Sequence, residues 1–278
     1  MNKIRRTWSL MSASWQILKE DKGLILFPLI SGICCLLLLA SFAIPLAATN
    51  HWRPPGSGAQ PIDRAAYYGV LFLFYFCNYF IIVFFNSAIV ACATMRMTGG
   101  QPTLGDGFRA ASARLPLILG WAIISATVGL ILRVIEDRSD KIGRIVAALF
   151  GAAWTITSFF VVPILVIENK NPFSALKDST VLLKKTWGER LAANFSFGTV
   201  FFVLALPAVA LFFLALFSGS FVAIVLAIAL GAIYLIVLGL IQSALQSIFQ
   251  AALFLYARDG QVPAGFEAGL LGDAMRSR

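Results

Sequence analysis

The stretch from Leu191 to Ala257 reads LAANFSFGTVFFVLALPAVALFFLALFSGSFVAIVLAIALGAIYLIVLGLIQSALQSIFQAALFLYA and contains no charged residue over 67 positions. It is far too long for one buried helix of a soluble protein, whereas a helix that crosses a bilayer needs about 20 apolar residues. The turn-forming sequence Ser218-Gly219-Ser220 divides it, which predicts two spans, at about 193–217 and 221–257. The second would be about 55 Å long, so we expect it to tilt, to kink, to project beyond the bilayer, or to break at Gly239.

The rest of the chain belongs to the same class. Of its 278 residues, 59% are hydrophobic and only 13% are charged, and the mean hydropathy is +0.85. Soluble domains carry about 25% charged residues, so there is too little charge here for a water-facing shell. Four more apolar runs predict spans at about 24–48, 65–93, 115–132 and 145–167. We therefore predict an all-α fold: a polytopic transmembrane helical bundle of about six spans, in one domain over residues 1–278.

The distribution of basic residues predicts the topology. If both termini lie on the same side of the membrane, the segments on that side hold 16 of the 22 Lys and Arg residues, and the other segments hold 6. Cytoplasmic segments carry the excess of Lys and Arg, which predicts an inner (cytoplasmic) membrane protein with both termini in the cytoplasm. The side of the loop at 133–144 stays open, because four basic residues lie in it.

Three segments that follow the even-numbered spans are alike. They read GGQPTLGDGFR at 99–109, NKNPFSALK at 169–177 and DGQVPAGFE at 259–267, each with a proline a few residues past the span. Such a proline stops one helix and presets the first turn of the next. This pattern predicts three repeats, at about 1–98, 99–168 and 169–258, each an interfacial amphipathic helix followed by a helical hairpin, with a tail at 259–278. The alternative is that juxtamembrane segments are generally amphipathic and basic.

The stretches before the odd-numbered spans have the pattern of interfacial helices. In the first, Trp8, Met11, Trp15 and Leu18 follow steps of three and four, with basic residues mostly on other faces. A helix that is basic on one face and bears Trp and Leu on the other suits the headgroup plane. We therefore predict contacts with anionic membrane lipids at Arg5, Arg6, Trp15, Lys19, Arg109, Lys184, Lys185 and Trp187. This accounts for the net charge of +9 without nucleic acid as a partner. Large apolar faces also permit a homo-oligomer.

Catalytic and metal chemistry find little support in the sequence. Every Asp, Glu, Lys and Arg lies at or outside a predicted span end, which argues against a carboxylate relay for coupled transport. The motifs HExxH and GxSxG and the Walker pattern do not occur, and His51 is the only histidine. The four cysteines show no CxxC spacing. No catalytic residue, metal site or cofactor is predicted.

A polar stripe marks the last predicted span. It comprises Gln242, Gln246 and Gln250 at intervals of four, with Ser243 and Ser247 alongside, while Asn78 and Asn86 lie on the second span. A buried amide needs partners in a dry bilayer. The stripe predicts a water-lined path or polar groove, or interhelical hydrogen bonds of about 0.6–2 kcal/mol each, or a part of the helix that projects into water.

Three motifs carry a resemblance to a known family. They are the segment 12–22 followed by Phe27-Pro28, the segment 162–168, and Lys184-Lys185-Thr186-Trp187-Gly188. Together they resemble a family of uncharacterised prokaryotic six-span integral membrane proteins, a domain of unknown function. The resemblance implies fold and membrane location and carries no activity. Separately, Pro163 predicts a kink near the inner end of the fourth span, because it cannot donate to the carbonyl of Phe159.

These patterns favour a non-enzymatic inner-membrane protein whose cytoplasmic interfacial helices engage anionic lipid or a partner. The first alternative is a channel or transporter with a path along the polar stripe of the last span. The second alternative is a lipid-modifying membrane enzyme. A continuous polar cavity touching Gln242, Gln246 and Gln250 would favour the path.

Overall fold

The computed structural model describes residues 3–48, 61–138, 141–186, 197–260, 262–263 and 266. All regular secondary structure in these ranges is helical, which confirms the all-α prediction. The elements are α1 (Lys3–Glu20), a 3₁₀ turn (Lys22–Ile25), α2 (Leu26–Ala48), α3 (Pro61–Met97), α4 (Leu104–Ala113), α5 (Leu115–Arg138), α6 (Lys141–Thr157), α7 (Val161–Pro163) with a π turn (Ile164–Glu168), α8 (Pro172–Thr186), α9 (Phe197–Phe217) and α10 (Phe221–Asp259).

Six helical segments are long and apolar enough to cross a membrane. They cover 22–47, 62–97, 115–137, 141–168, 200–217 and 221–259, in register with the six predicted spans. In the most apolar part of each, between 11% and 28% of the residues are buried within the protein. Apolar surface exposed on this scale is unfavourable in water and suits the interior of a bilayer. The chain is a multi-pass helical membrane protein.

The last span is one continuous helix of 39 residues, without a break at Gly239. The Ser220 side chain caps its start by accepting from the amide of Ala223, and Gly260 ends it in the left-handed conformation. From Phe221 to Val237 most side chains are exposed, whereas those between Ala244 and Leu255 are nearly all buried. The change follows from packing, because α1 and the 3₁₀ turn pack against α10.

The fourth span is interrupted instead of merely kinked. α6 ends at Thr157, and helical structure resumes at Val161 with a short helix and the π turn. The break therefore precedes Pro163, the residue at which the sequence predicted a bend. The Ser158 hydroxyl donates to the carbonyl of Trp154 at 2.7 Å and caps the end of α6 from within. Side-chain bonds to the preceding turn often accompany a bend in a helix.

The chain divides into two compact units, each assembled from separate segments. One comprises 1–28, 93–101 and 184–278, and the other comprises 29–92 and 102–183. The first has a core that includes Phe27, Ile248 and Leu253, and the second has one that includes Ile118 and Phe160. Neither unit coincides with a predicted repeat, so the repeat boundaries stay predictions.

Candidate functional site

The segments that follow α3, the π turn and α10 share one backbone feature. Gly99, Asn169 and Gly260 have φ angles of +91°, +54° and +68°. A left-handed residue just past a helix is a common helix stop, and Gly or Asn adopts it at least cost. In each case a proline stands three residues later, at Pro102, Pro172 and Pro263. The three segments therefore share one register of helix stop and proline, and the internal repeat stays a prediction.

Side-chain caps then fix the starts of α4 and α8. The Thr103 hydroxyl accepts from the Asp106 amide at 3.3 Å, and the Thr103 amide donates to the Asp106 carboxylate at 3.0 Å. These bonds from Thr103 hold the pKa of Asp106 below its usual value. At the other helix the Ser174 amide donates to Asn171 Oδ1 at 2.9 Å. Both helices are therefore set directly after their left-handed stop.

The helices α4 and α8 pack on the span that precedes each of them. The Phe108 ring of α4 lies 5.9 Å from the ring of Phe85 in α3, and Cys92 Sγ donates to the carbonyl of Thr103 at 3.6 Å. Ser179 of α8 donates to the carbonyl of Thr157 at 2.7 Å, at the break in the fourth span. The first helix, α1, likewise packs against an even-numbered span, in this case the last one, α10.

A second contact ties the C-terminal ends of α1 and α4 to the end of a span. Arg96 Nη2 at the end of α3 lies 3.1 Å from Glu20 Oε2 at the end of α1. Arg114, which caps α4, donates from Nε to the carbonyl of Val166 in the π turn at 3.3 Å. These bonds hold the C-terminal ends of α1 and α4 against the ends of the second and fourth spans.

The outward faces of α1, α4 and α8 are basic. Lys19, Lys177 and Lys184 are exposed, and the side chain of Arg109 is 83% exposed, with a 3.4 Å ion pair to Asp106. Their inward faces are small or apolar, and fully or nearly buried, at Met11, Ala13, Ile17 and Leu18 of α1, Ala111 of α4 and Ala175 of α8. In each of the three helices the buried residues therefore lie apart from the exposed cations.

Trp15 lies on the outward face of α1, although the sequence placed it in line with Met11 and Leu18. It is 37% exposed, while Ser14 beside it is fully buried. The Lys19 ammonium lies 5.7 Å from the Trp15 ring, in range of a cation–π contact. Among the other predicted lipid contacts, the side chains of Arg5, Arg6 and Lys185 and the whole of Trp187 lie outside the described part of the chain.

An ion-pair cluster stands beside α8 that sequence reasoning missed. Lys170 Nζ lies 2.7 Å from Glu168 Oε2 and 2.8 Å from Asp178 Oδ2, and these carboxylates raise the pKa of Lys170. A shallow depression here is lined by Asn169, Lys170, Asn171, Ser174, Lys177 and Asp178. Because two carboxylates balance Lys170 and Lys177, the depression lacks the positive charge that an anion pocket needs. Only the spacing of Asp178 eight residues after Lys170 could have suggested it.

The predicted polar stripe passes through different environments. Gln242 is half-buried, Ser243 and Gln246 are exposed, and Ser247 and Gln250 are buried. The Ser247 hydroxyl donates to the carbonyl of Ser243 at 2.9 Å, within the helix. Gln250 lies in the half of α10 that packs against protein, and it has an interaction partner. On α3, Asn78 and Asn86 are half-buried.

One family model matches residues 65–266, well over half of the 278-residue chain. It is described as a family of unknown function (DUF6159). The matched region begins within α3 and extends past the end of α10, so it includes α4 and α8. A search of curated proteins found no match.

Proposed function

This chain belongs to DUF6159, a family of unknown function, and since the family supplies no activity we propose a role from the residues of the chain itself. The proposed role is that of a non-enzymatic, multi-pass protein of the inner (cytoplasmic) membrane of a prokaryote. Its helices α1, α4 and α8 bind anionic lipid headgroups at the cytoplasmic surface, and both termini are cytoplasmic.

The outward basic faces carry this proposal. Lys19, Arg109 and Lys184 stand on three different helices, and all three point away from the protein. Each helix begins or ends within a few residues of a span, which keeps these cations close to the membrane. A Lys or Arg near an anionic leaflet is attracted to it by about 1 kcal/mol. Three such helices would together hold several lipids of that charge.

The length of α10 supports an interfacial position for α1. The 20 residues from Phe221 to Leu240 already extend about 30 Å, the thickness of the hydrocarbon core. The stripe from Gln242 to Gln250 then falls at the level of the headgroups and overlaps the buried half of α10, the helix against which α1 packs. This geometry favours the projecting helix over a transmembrane path as the reason for the glutamines.

The topology rests on the basic residues and on the number of spans. Six crossings bring both ends to one side, and 16 of the 22 Lys and Arg residues lie on that side. A fluorescent protein fused after Arg278 should fold and fluoresce only from the cytoplasm. If that fusion does not fluoresce, and a periplasmic reporter enzyme fused at the same position is active, the orientation is reversed.

Native mass spectrometry of the purified full chain tests the lipid binding. The measurement compares retained phosphatidylglycerol with retained phosphatidylcholine. Exchange of one Arg and one Lys on the outward faces, Arg109→Glu with Lys184→Glu, should lower phosphatidylglycerol retention several-fold. The control with the same change of charge is Lys141→Glu with Arg144→Glu, at the other end of the spans, where both residues are exposed. Unchanged retention in the first pair, or equal loss in both pairs, would contradict the proposal.

A further inference from the structure

The outward face of α8 differs from that of α4 because it combines lysines with large apolar side chains. Phe173 is 74% exposed and Val181 is 54% exposed, and Lys177 and Lys184 lie between and beyond them. At 3.6 residues per turn these four positions fall within about 80° of the helix circumference. They form one stripe, which we call the α8 stripe. On α4, by contrast, the residues exposed beside Arg109 are Gly105, Ser112 and Ala113.

Contacts on the opposite face prevent α8 from rotating to bury the stripe. Ala175 and Ser179 are fully buried, and the Ser179 hydroxyl is bonded both to the Thr157 carbonyl and to the Phe160 amide. At the start of the helix, Pro172 packs so closely on α5 that a Cβ built on Gly120 would lie 3.1 Å from Pro172 Cγ. The exposure of Phe173 is therefore imposed by the fold.

The chain also keeps the stripe near the membrane. Glu168 ends the fourth span, and Phe173 follows five residues later. Five residues extend at most about 17 Å, and the left-handed turn at Asn169 shortens that reach. An exposed Phe and Val flanked by lysines fit the boundary between headgroups and acyl chains, where apolar side chains enter the lipid and lysines extend to the phosphates.

We propose that the α8 stripe is inserted in the anionic leaflet of the bilayer that the chain itself spans, with Phe173 and Val181 among the acyl chains and Lys177 and Lys184 at the phosphates. This inference rests on the proposed function and deepens it. It assigns to α8 an insertion that α4 lacks, beyond the outward positive charge that the two helices share. The positive charge of the stripe matches an anionic lipid surface and specifies that surface as its partner.

Spin labels in the full chain test the insertion. The native cysteines Cys34, Cys35, Cys77 and Cys92 are replaced by alanine, and labels are attached at Phe173→Cys, Val181→Cys and, as control on the outward face of α4, Ser112→Cys. In nanodiscs containing phosphatidylglycerol, the labels on α8 should be more accessible to oxygen than to a water-soluble nickel chelate. The label on α4 should show the opposite preference.

Two results would overturn the insertion. The first is that the label at position 173 is as accessible to the nickel chelate as the label at position 112. The second is that the label at position 173 is shielded from both reagents, which would indicate that a protein covers the stripe. A chain that keeps its cysteines provides a second measurement: a photoreactive benzophenone residue at position 173 should crosslink to lipid, and crosslinking to protein alone would contradict the proposal.

Nanodiscs of phosphatidylcholine separate this inference from the proposed function. Insertion of the 173 label in both lipids, together with unselective lipid retention, would refute headgroup selectivity and leave the insertion standing. Selective retention of phosphatidylglycerol together with a water-exposed 173 label would refute the insertion and leave the headgroup selectivity standing.

Discussion

The hydroxyl of Ser179 donates a hydrogen bond of 2.7 Å to the carbonyl oxygen of Thr157, the last residue of α6. The Ser179 hydroxyl oxygen in turn accepts from the amide of Phe160 at 3.0 Å, so one side chain of α8 pairs with a polar group on each side of the break in the fourth span. Ser179 is fully buried. A break in a membrane helix is tolerated only where its freed backbone groups find partners, and Ser179 supplies them here.

Ser179→Ala should therefore destabilise the protein. It leaves a half-buried carbonyl and a buried amide without this partner, which costs up to about 1–3 kcal/mol for each group left unpaired. The measurement is thermal or denaturant unfolding of the purified protein in detergent. Thr180→Ala is the matched control, because the Thr180 hydroxyl donates to the carbonyl of Leu176 within its own helix, at 2.9 Å. Equal stability of the two variants would contradict the role of Ser179.

Gly120→Ala should loosen the contact between α5 and α8. The added Cβ would lie 3.1 Å from Pro172 Cγ, closer than carbon atoms normally approach, so the start of α8 has to shift. We expect a loss of about 1–3 kcal/mol in the free energy of unfolding. Gly239→Ala in α10 is the control, since an added Cβ there meets no atom within 4 Å. Alanine favours the helix by about 1 kcal/mol over glycine, so a destabilised Gly239→Ala would show that α10 is not the continuous helix described.

Substitutions at the three left-handed residues that end helices should change the stability of the protein according to how well the new residue tolerates a positive φ angle. At Asn169, where φ is +54°, Asn169→Gly should be neutral or stabilising, and Asn169→Ala should cost about 1 kcal/mol. Gly99→Ala and Gly260→Ala should each cost a similar amount, because the left-handed conformation is strained for alanine. Unfolding measurements on the four variants check this. A stabilised Gly99→Ala would argue against a shared stop in the three segments.

Acid should weaken the start of α4. Hydrogen bonds from Thr103 lower the pKa of Asp106 in the folded protein, so the contribution of the carboxylate is present above its unfolded pKa and is lost as the pH falls through the lower, folded value. The protection of the α4 amides against hydrogen exchange, taken relative to the intrinsic exchange rate at each pH, should therefore be high at neutral pH and lower below about pH 4. Asp106→Ala should show low protection at both pH values, and its difference from the native chain should vanish in acid. A difference that persists in acid would rule out the carboxylate as the cause.

Much of the fold could be predicted because hydropathy acts locally. The charge-free stretch from Leu191 to Ala257 and the other apolar runs identified six spans, since crossing a bilayer depends on the residues of each segment alone. The prolines at 102, 172 and 263 likewise predicted that the preceding helices end close to them. Helix ends were less well predicted: α5 continues to Arg138, where Arg133 pairs with Glu136 and Asp137 along the helix and keeps the charged segment helical.

The sequence by itself therefore determined that this chain is a multi-pass helical membrane protein. Only the tertiary structure decided that Ser179 completes the fourth span, that Trp15 faces outward while Ser14 is buried, and that α1 packs on α10. It also decided that Phe173 stays exposed. The reason is physical: insertion into lipid depends on the apolar area of each segment, whereas the face that a helix buries depends on partners distant in the sequence, which no local pattern specifies.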